Sequence, residues 1–83
     1  MNAIEPEVVQ IVSRITKVPA SRFTAETDLR TDLNVDSLQG LQIVAAIEKR
    51  FGITVPAEEI DIYTSVKEIV ATVERFQANG DDR

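Results

Sequence analysis

Apolar residues at helical spacing are the strongest constraint on this chain. Three stretches carry them at intervals of three and four, and such a pattern buries helix faces rather than pleated sheets. Residues 4 to 17 place Ile4, Val8, Ile11, Val12 and Ile15 on one side of a helix. Pro6 suits the first turn, where a missing N–H costs nothing. Val18-Pro19 closes the pattern, because a residue before proline avoids the α region. Asp36-Ser37 opens a second helix that runs to about Phe51, with Gly52 where helices commonly end in a left-handed turn. Ser65-Val66-Lys67-Glu68 has the form of a capping box. Val66, Ile69, Val70, Val73 and Phe76 make the apolar face of the helix it starts. Before it, Ile53-Thr54-Val55-Pro56 reads as an extended link. Pro56-Ala57-Glu58-Glu59 reads as the first turn of a short helix, with proline and acids in favoured places. The expected fold is all-α, a four-helix bundle of three main helices and a short third one.

The chain has 83 residues, enough for one small domain. That domain is expected over residues 1–76, with a polar, frayed tail over 77–83. Hydrophobic residues at 43% against 28% charged place it among globular rather than disordered chains. Cysteine and histidine are both absent. Their absence removes disulfide staples, thiol nucleophiles, thiolate and imidazole metal ligands, and histidine general bases. A core of this size rarely supplies more than about 3–5 kcal/mol. A thin, plastic fold of that kind is a poor base for a rigid catalytic constellation, so an enzyme is not expected.

Nine basic and fourteen acidic residues give a net charge of −5. A nucleic-acid backbone would be repelled. Basic protein surfaces suit this charge as partners, and solubility alone explains it equally well. No apolar run is long enough to span a bilayer, and Met1-Asn2-Ala3-Ile4-Glu5-Pro6 has neither the basic start nor the apolar block of a signal peptide. A cytoplasmic location is the expectation.

Two features of the middle of the chain ask for more than a fold. The first is a seventeen-residue connection, 19–35. Loops that long in compact domains are usually functional or disordered, and Phe23, Leu29 and Leu33 argue against disorder by offering anchors. The second is that the second helix carries two apolar stripes. Ile43, Val44, Ile47 and Phe51, with Gly40 among them, suit the core. Leu38, Leu41 and Ala45 lie on roughly the opposite side. Periodicity alone slightly favours more core for this second stripe, and a docking surface is the alternative. Ser37 stands at the mouth of that helix. Serine there is most often an N-cap. As a nucleophile it lacks a histidine and a Gly-x-Ser-x-Gly elbow. Its hydroxyl is also a place to attach something, and a phosphate ester would meet the positive helix end. Asp28, Asp32 and Asp36 recur every four residues, but without the spacing of a calcium loop; a solvated acidic loop explains them better than a metal site.

The run Asp32-Leu33-Asn34-Val35-Asp36-Ser37-Leu38, followed by Ile43-Val44-Ala45-Ala46-Ile47-Glu48-Lys49-Arg50-Phe51-Gly52-Ile53-Thr54-Val55-Pro56, resembles the acyl carrier proteins. The resemblance extends over nearly the whole chain. It implies that Ser37 receives 4′-phosphopantetheine from coenzyme A through a separate Mg²⁺-dependent phosphopantetheinyl transferase. The arm's thiol then holds an acyl group as a thioester. The carrier delivers it to acyl-loading, elongating and acyl-transferring enzymes of fatty acid, lipid or polyketide biosynthesis. Asp36 and Leu38 would help the transferase read the site, and Leu41, Ala45 and Glu48 match positions that carriers present to partners. A core of Val, Ile and Leu with four aromatics in all would part to admit an acyl chain. The beginning at Met1 and the polar end suggest a free-standing, monomeric carrier.

Departures from the family pattern carry their own expectations. Asn34 stands where many relatives have glycine, and asparagine tolerates left-handed backbone. Gln39 and Gln42 replace acids common in carriers of primary fatty acid synthesis, and Lys49 and Arg50 cancel Asp36 and Glu48. Drift between lineages explains this, or service to a dedicated pathway, which is the reading preferred. Gly40 costs about 1 kcal/mol against alanine, which is tolerated drift or room for the arm or cargo. The rival readings are a peptidyl or aryl carrier of nonribosomal assembly and an unmodified helical interaction module.

Overall fold

The computed structural model describes residues 4–55 and 65–80, the side chains as far as 77. Three α-helices account for most of them: α1 (Ile4–Thr16), α2 (Ser37–Phe51) and α3 (Val66–Gly80). No strand longer than an isolated bridge occurs among the described residues. The short helix expected from Pro56 to Glu59 lies outside them.

Each helix buries the stripe that its spacing marks. Val8, Ile11 and Val12 of α1 are buried, with Ile4 and Ile15 partly so. In α2 the buried residues are Gly40, Ile43 and Ile47. In α3 they are Val66, Ile69, Val70 and Val73. Among the described residues, all the buried side chains join one hydrophobic cluster, Phe23 included, apart from Val55 of the link after α2. Helix α1 packs against both α2 and α3, and those two touch each other less. The arrangement makes α1 the spine. A forked ion pair reinforces one seam: the Arg50 Nε donates to Glu7 Oε1 at 3.0 Å and its Nη2 lies 2.9 Å from Oε2. Both side chains are about half exposed, so the pair adds at most about 1 kcal/mol.

The helix ends follow local chemistry. Helix α1 stops with Lys17 in the left-handed region, φ 65, its N–H donating to the Ser13 carbonyl at 2.8 Å. The Ser13 hydroxyl donates to Val18 O at 2.7 Å, and the Val18 N–H donates to Thr16 Oγ1 at 3.3 Å. These bonds turn the chain ahead of Pro19. Helix α2 ends at Gly52, φ 67, as its sequence implies. Helix α3 runs from Val66 to Gly80.

The 19–35 connection is ordered rather than structureless. It opens with a 3₁₀ turn, Ala20–Arg22, and then folds under itself with Phe23, Leu29 and Val35 buried and Leu33 packed on the core. Two backbone contacts tie it to the start of α3: the Lys67 N–H donates to Ala25 O at 2.8 Å, and Asp28 bridges to Ser65. Leu29 is fully buried although it belongs to a loop. Truncation to alanine in a core costs about 2–5 kcal/mol, comparable with all that a domain of this size has. The Leu29→Ala chain is expected to lose its cooperative thermal transition, with circular dichroism at 25 °C showing a large loss of helix.

Candidate functional site

Ser37 is the first residue of α2, and the loop before it sets where it stands. The loop is closed by its own short-range bonds. The Asp28 Oδ1 accepts from the N–H groups of Arg30 and Thr31, both at 2.9 Å. In return the Asp28 N–H donates to Asp32 Oδ2 at 2.9 Å, and the Asp32 N–H donates to Asp28 O at 2.9 Å. Two of the three regularly spaced aspartates therefore use their carboxylates on loop backbone. The chain then passes under the core, where the Val35 N–H donates to Leu29 O at 3.0 Å. Between these anchors Asn34 takes φ 57. The reversal needs a residue that enters left-handed space, and asparagine does so at lower cost than most.

The N-cap of α2 is Asp36, not Ser37. Asp36 is extended, with φ −96 and ψ −176, and its Oδ1 accepts from the Gln39 N–H at 2.8 Å. Its carbonyl takes the first helical bond, from the Gly40 N–H at 2.8 Å. The ordinary explanation for a serine at a helix start is therefore met by its neighbour. Ser37 is exposed, next to exposed Leu38. Its Cα lies in the first turn, where the backbone N–H groups give the helix its positive end.

The second stripe of α2 is on the surface. Leu38 is 65% and Leu41 63% exposed, and Ala45 is exposed with them. The slight preference that periodicity gave to extra core fails here, because α1 covers only the Ile43–Ile47 side. Glu48 turns out to have an internal partner that spacing could not reveal. Its Oε2 accepts from the Val55 N–H at 2.9 Å, and its carbonyl accepts from the Gly52 and Ile53 N–H groups at 2.9 and 3.2 Å. The residue is half-buried and holds the link after α2 against the helix end. Leu38, Leu41 and Ala45 lie on one outer face, Asp36 caps the helix end, and the Glu48 carboxylate is directed at the link. Gly40 is buried on the inner side.

No cluster of three acidic side chains able to hold a metal ion occurs among the described residues, and none of the described helices is long and apolar enough to cross a membrane.

The site residues fit a covalently attached phosphate ester. An exposed hydroxyl at a positive helix end, with the cap supplied by another residue, leaves room for it without dismantling the helix. Comparisons with known proteins point the same way. The family model described as the phosphopantetheine attachment site matches residues 6–73. The chain is 37% identical over 76 residues to the acyl carrier protein of Akkermansia muciniphila, covering 92% of this chain and 95% of that one. It is 34% identical over 74 residues to the acyl carrier protein of Helicobacter hepaticus, covering 89% and 96%. Against the acyl carrier protein of Rhodococcus erythropolis the identity is 32% over 74 residues, covering 89% and 81%.

Two measurements check the loop that positions Ser37. Asn34→Gly should leave stability within about 0.5 kcal/mol, whereas Asn34→Val should cost about 1–2 kcal/mol for a branched residue at positive φ; urea unfolding of both reads this out. The Thr31 N–H above all, helped by the Thr31 hydroxyl and by Arg30, outweighs a desolvation effect and holds the Asp28 carboxyl below its ordinary value of 3.8. A lowered folded pKa gives stability that is present above the unfolded value and is lost as pH falls through the folded one. Asp28→Asn should therefore melt below the parent at neutral pH, with the gap closing as pH drops below 3.8.

Proposed function

The chain belongs to the acyl carrier protein family, whose group is 4′-phosphopantetheine, and on that premise we propose that Ser37 is the residue that bears it. The observation that carries the proposal is the division of labour at the start of α2. Asp36 holds the helix end through the Gln39 N–H, so esterifying the next hydroxyl leaves that cap in place. A phosphodiester formed there, with the 3′,5′-ADP of coenzyme A as leaving group, would meet the positive end of α2. Once attached, the arm supplies a terminal thiol that holds an acyl group as a thioester.

What remains for the chain is to present, orient and protect. Leu29 and Val35 fix the height of the loop, and Asn34 turns it so that Asp36 meets the helix. Asp36 and Leu38 flank the attachment point and are exposed for a phosphopantetheinyl transferase to read. Leu41 and Ala45 extend the surface toward enzymes that load, elongate or transfer the acyl group. The chain itself is a carrier, not a catalyst. Its core is lined by Val, Ile and Leu, and α2 and α3 lean on α1 more than on each other. Parting of such a core to shelter an acyl chain is consistent with that packing. The near-neutral α2 favours a carrier for a dedicated pathway of acyl chemistry over one for primary fatty acid synthesis.

Incubation with coenzyme A, Mg²⁺ and a phosphopantetheinyl transferase should raise the intact mass by one phosphopantetheine. Ser37→Ala should abolish the increment while keeping the parent's melting behaviour. An increment that survives in Ser37→Ala would place the arm elsewhere.

A further inference from the structure

Ser37, Gly40 and Val44 fall on one flank of α2, at steps of three and four residues. Gly40 is buried with Ile43 and Ile47, and of these three it stands nearest Ser37. It brings no side chain to the core. Nothing in the backbone asks for glycine there. Gly52 has positive φ, whereas Gly40 sits inside the helix and its N–H donates to the Asp36 carbonyl at 2.8 Å. Glycine in a helix interior is less stable than alanine, so what this position gains is the absence of a side chain. Val44, one turn further on, is half-buried, yet among the described residues it stands outside the core cluster that holds Ile43 and Ile47. Helix α2 thus brings two branched side chains to the core in its middle and none at the buried position closest to the serine.

We infer that Gly40 sets the shape of the acyl group that this fold shelters, leaving width for cargo branched next to the thioester carbonyl. The inference rests on the reading of Ser37 as the attachment residue and of the core as the shelter. An acyl group that enters tail first from the serine end leaves its carbonyl end at the mouth, because the thioester stays joined to the arm. Its tail meets Ile43 and Ile47, whose side chains already fill their positions, so only a thin chain passes them. The carbons beside the thioester meet Gly40. A branch there takes the place of the missing side chain and leaves water. Valine at this position would occupy the same space, and overpacking would then exclude the branch while a straight chain still passes. Gly40 is thus a specificity residue for the cargo, acting on the acyl group rather than on any partner enzyme.

The test loads the whole chain from octanoyl- or 2-ethyloctanoyl-coenzyme A with Mg²⁺ and a phosphopantetheinyl transferase, each product being checked by intact mass. Cleavage of the thioester by hydroxylamine is timed for the parent, Gly40→Ala and Gly40→Val. Each rate is compared with that of the same acyl group on coenzyme A, which gives a protection factor free of the intrinsic reactivity of the group. Thermal melts of the three unmodified chains accompany these rates. In the parent both groups should be protected about fivefold or more, the branched one at least as well as the straight one. Gly40→Val should lower the ratio of branched to straight protection about five- to tenfold, and Gly40→Ala by a smaller factor. The unmodified Gly40→Ala chain should melt about 4 °C above the parent, because alanine gains helix propensity where no neighbour holds its space. A lower melt for Gly40→Ala means that a neighbour packs on the bare Cα, and it overturns the inference. Protection of the straight group alone in the parent, or a ratio that Gly40→Val leaves unmoved, also overturns it. These outcomes leave the carrier reading standing. Protection of neither group in the parent overturns the shelter along with the inference, and a parent chain that takes no arm at Ser37 overturns the attachment reading as well.

Discussion

Leu29 must stay out of water for Ser37 to stand where it does. The residue lies in the long connection and is fully buried, in one cluster with Val8, Ile11 and Val12 of α1, Ile43 and Ile47 of α2 and Val66 of α3. Its carbonyl accepts from the Val35 N–H, so the loop is held to the core by a side chain and to itself by its backbone at the same point. Val35 is followed directly by the cap and the serine. A chain without cysteine has no disulfide to order such a loop and relies on apolar burial. Here three apolar anchors, Phe23, Leu29 and Val35, are enough.

Helix α2 must then serve two surroundings at once. Its inner side is closed against α1 by Ile43 and Ile47, and Gly40 is buried there as well. Its outer side keeps two leucines in water, which a helix selected only for solubility would not do. Charge on the helix is sorted along with shape. Glu48 and Arg50 bind within the molecule, and Asp36 caps; Lys49 faces out. Composition counts these four as cancelling, yet they are not equivalent. Three of them hold the fold, Asp36 doing so at the Ser37 end of the exposed stripe, and Lys49 stands at its far end.

Most of the helical plan could be read before any coordinates. Spacing placed α1, α2 and α3, and the Gly52 terminator needed only the rule that left-handed ends favour glycine. Asn34 was legible for the same reason, once the family resemblance marked the position. Three features were not. Periodicity finds stripes but does not say which neighbour covers them, so the exposure of Leu38 and Leu41 stayed open until α1 was in place. The Glu48–Val55 bond joins residues seven apart across a helix end, a distance no local pattern reports. Lys17 at φ 65 carries no signal, because a lysine there looks like any exposed charge until the Ser13 and Thr16 bonds around it are known. Ser37 was singled out by type and place, yet sequence left it as a possible cap. Only the Asp36 hydrogen bond reassigns that duty.

The reciprocal bonds of Asp28 and Asp32 have a kinetic side. They join groups no more than four residues apart, so re-forming them involves little search through chain conformations. Closure of even a ten-residue loop takes only about 10–100 ns. A passing enzyme that tugs this hairpin of acids out of shape therefore bends a spring. Its recoil would be finished long before the next encounter.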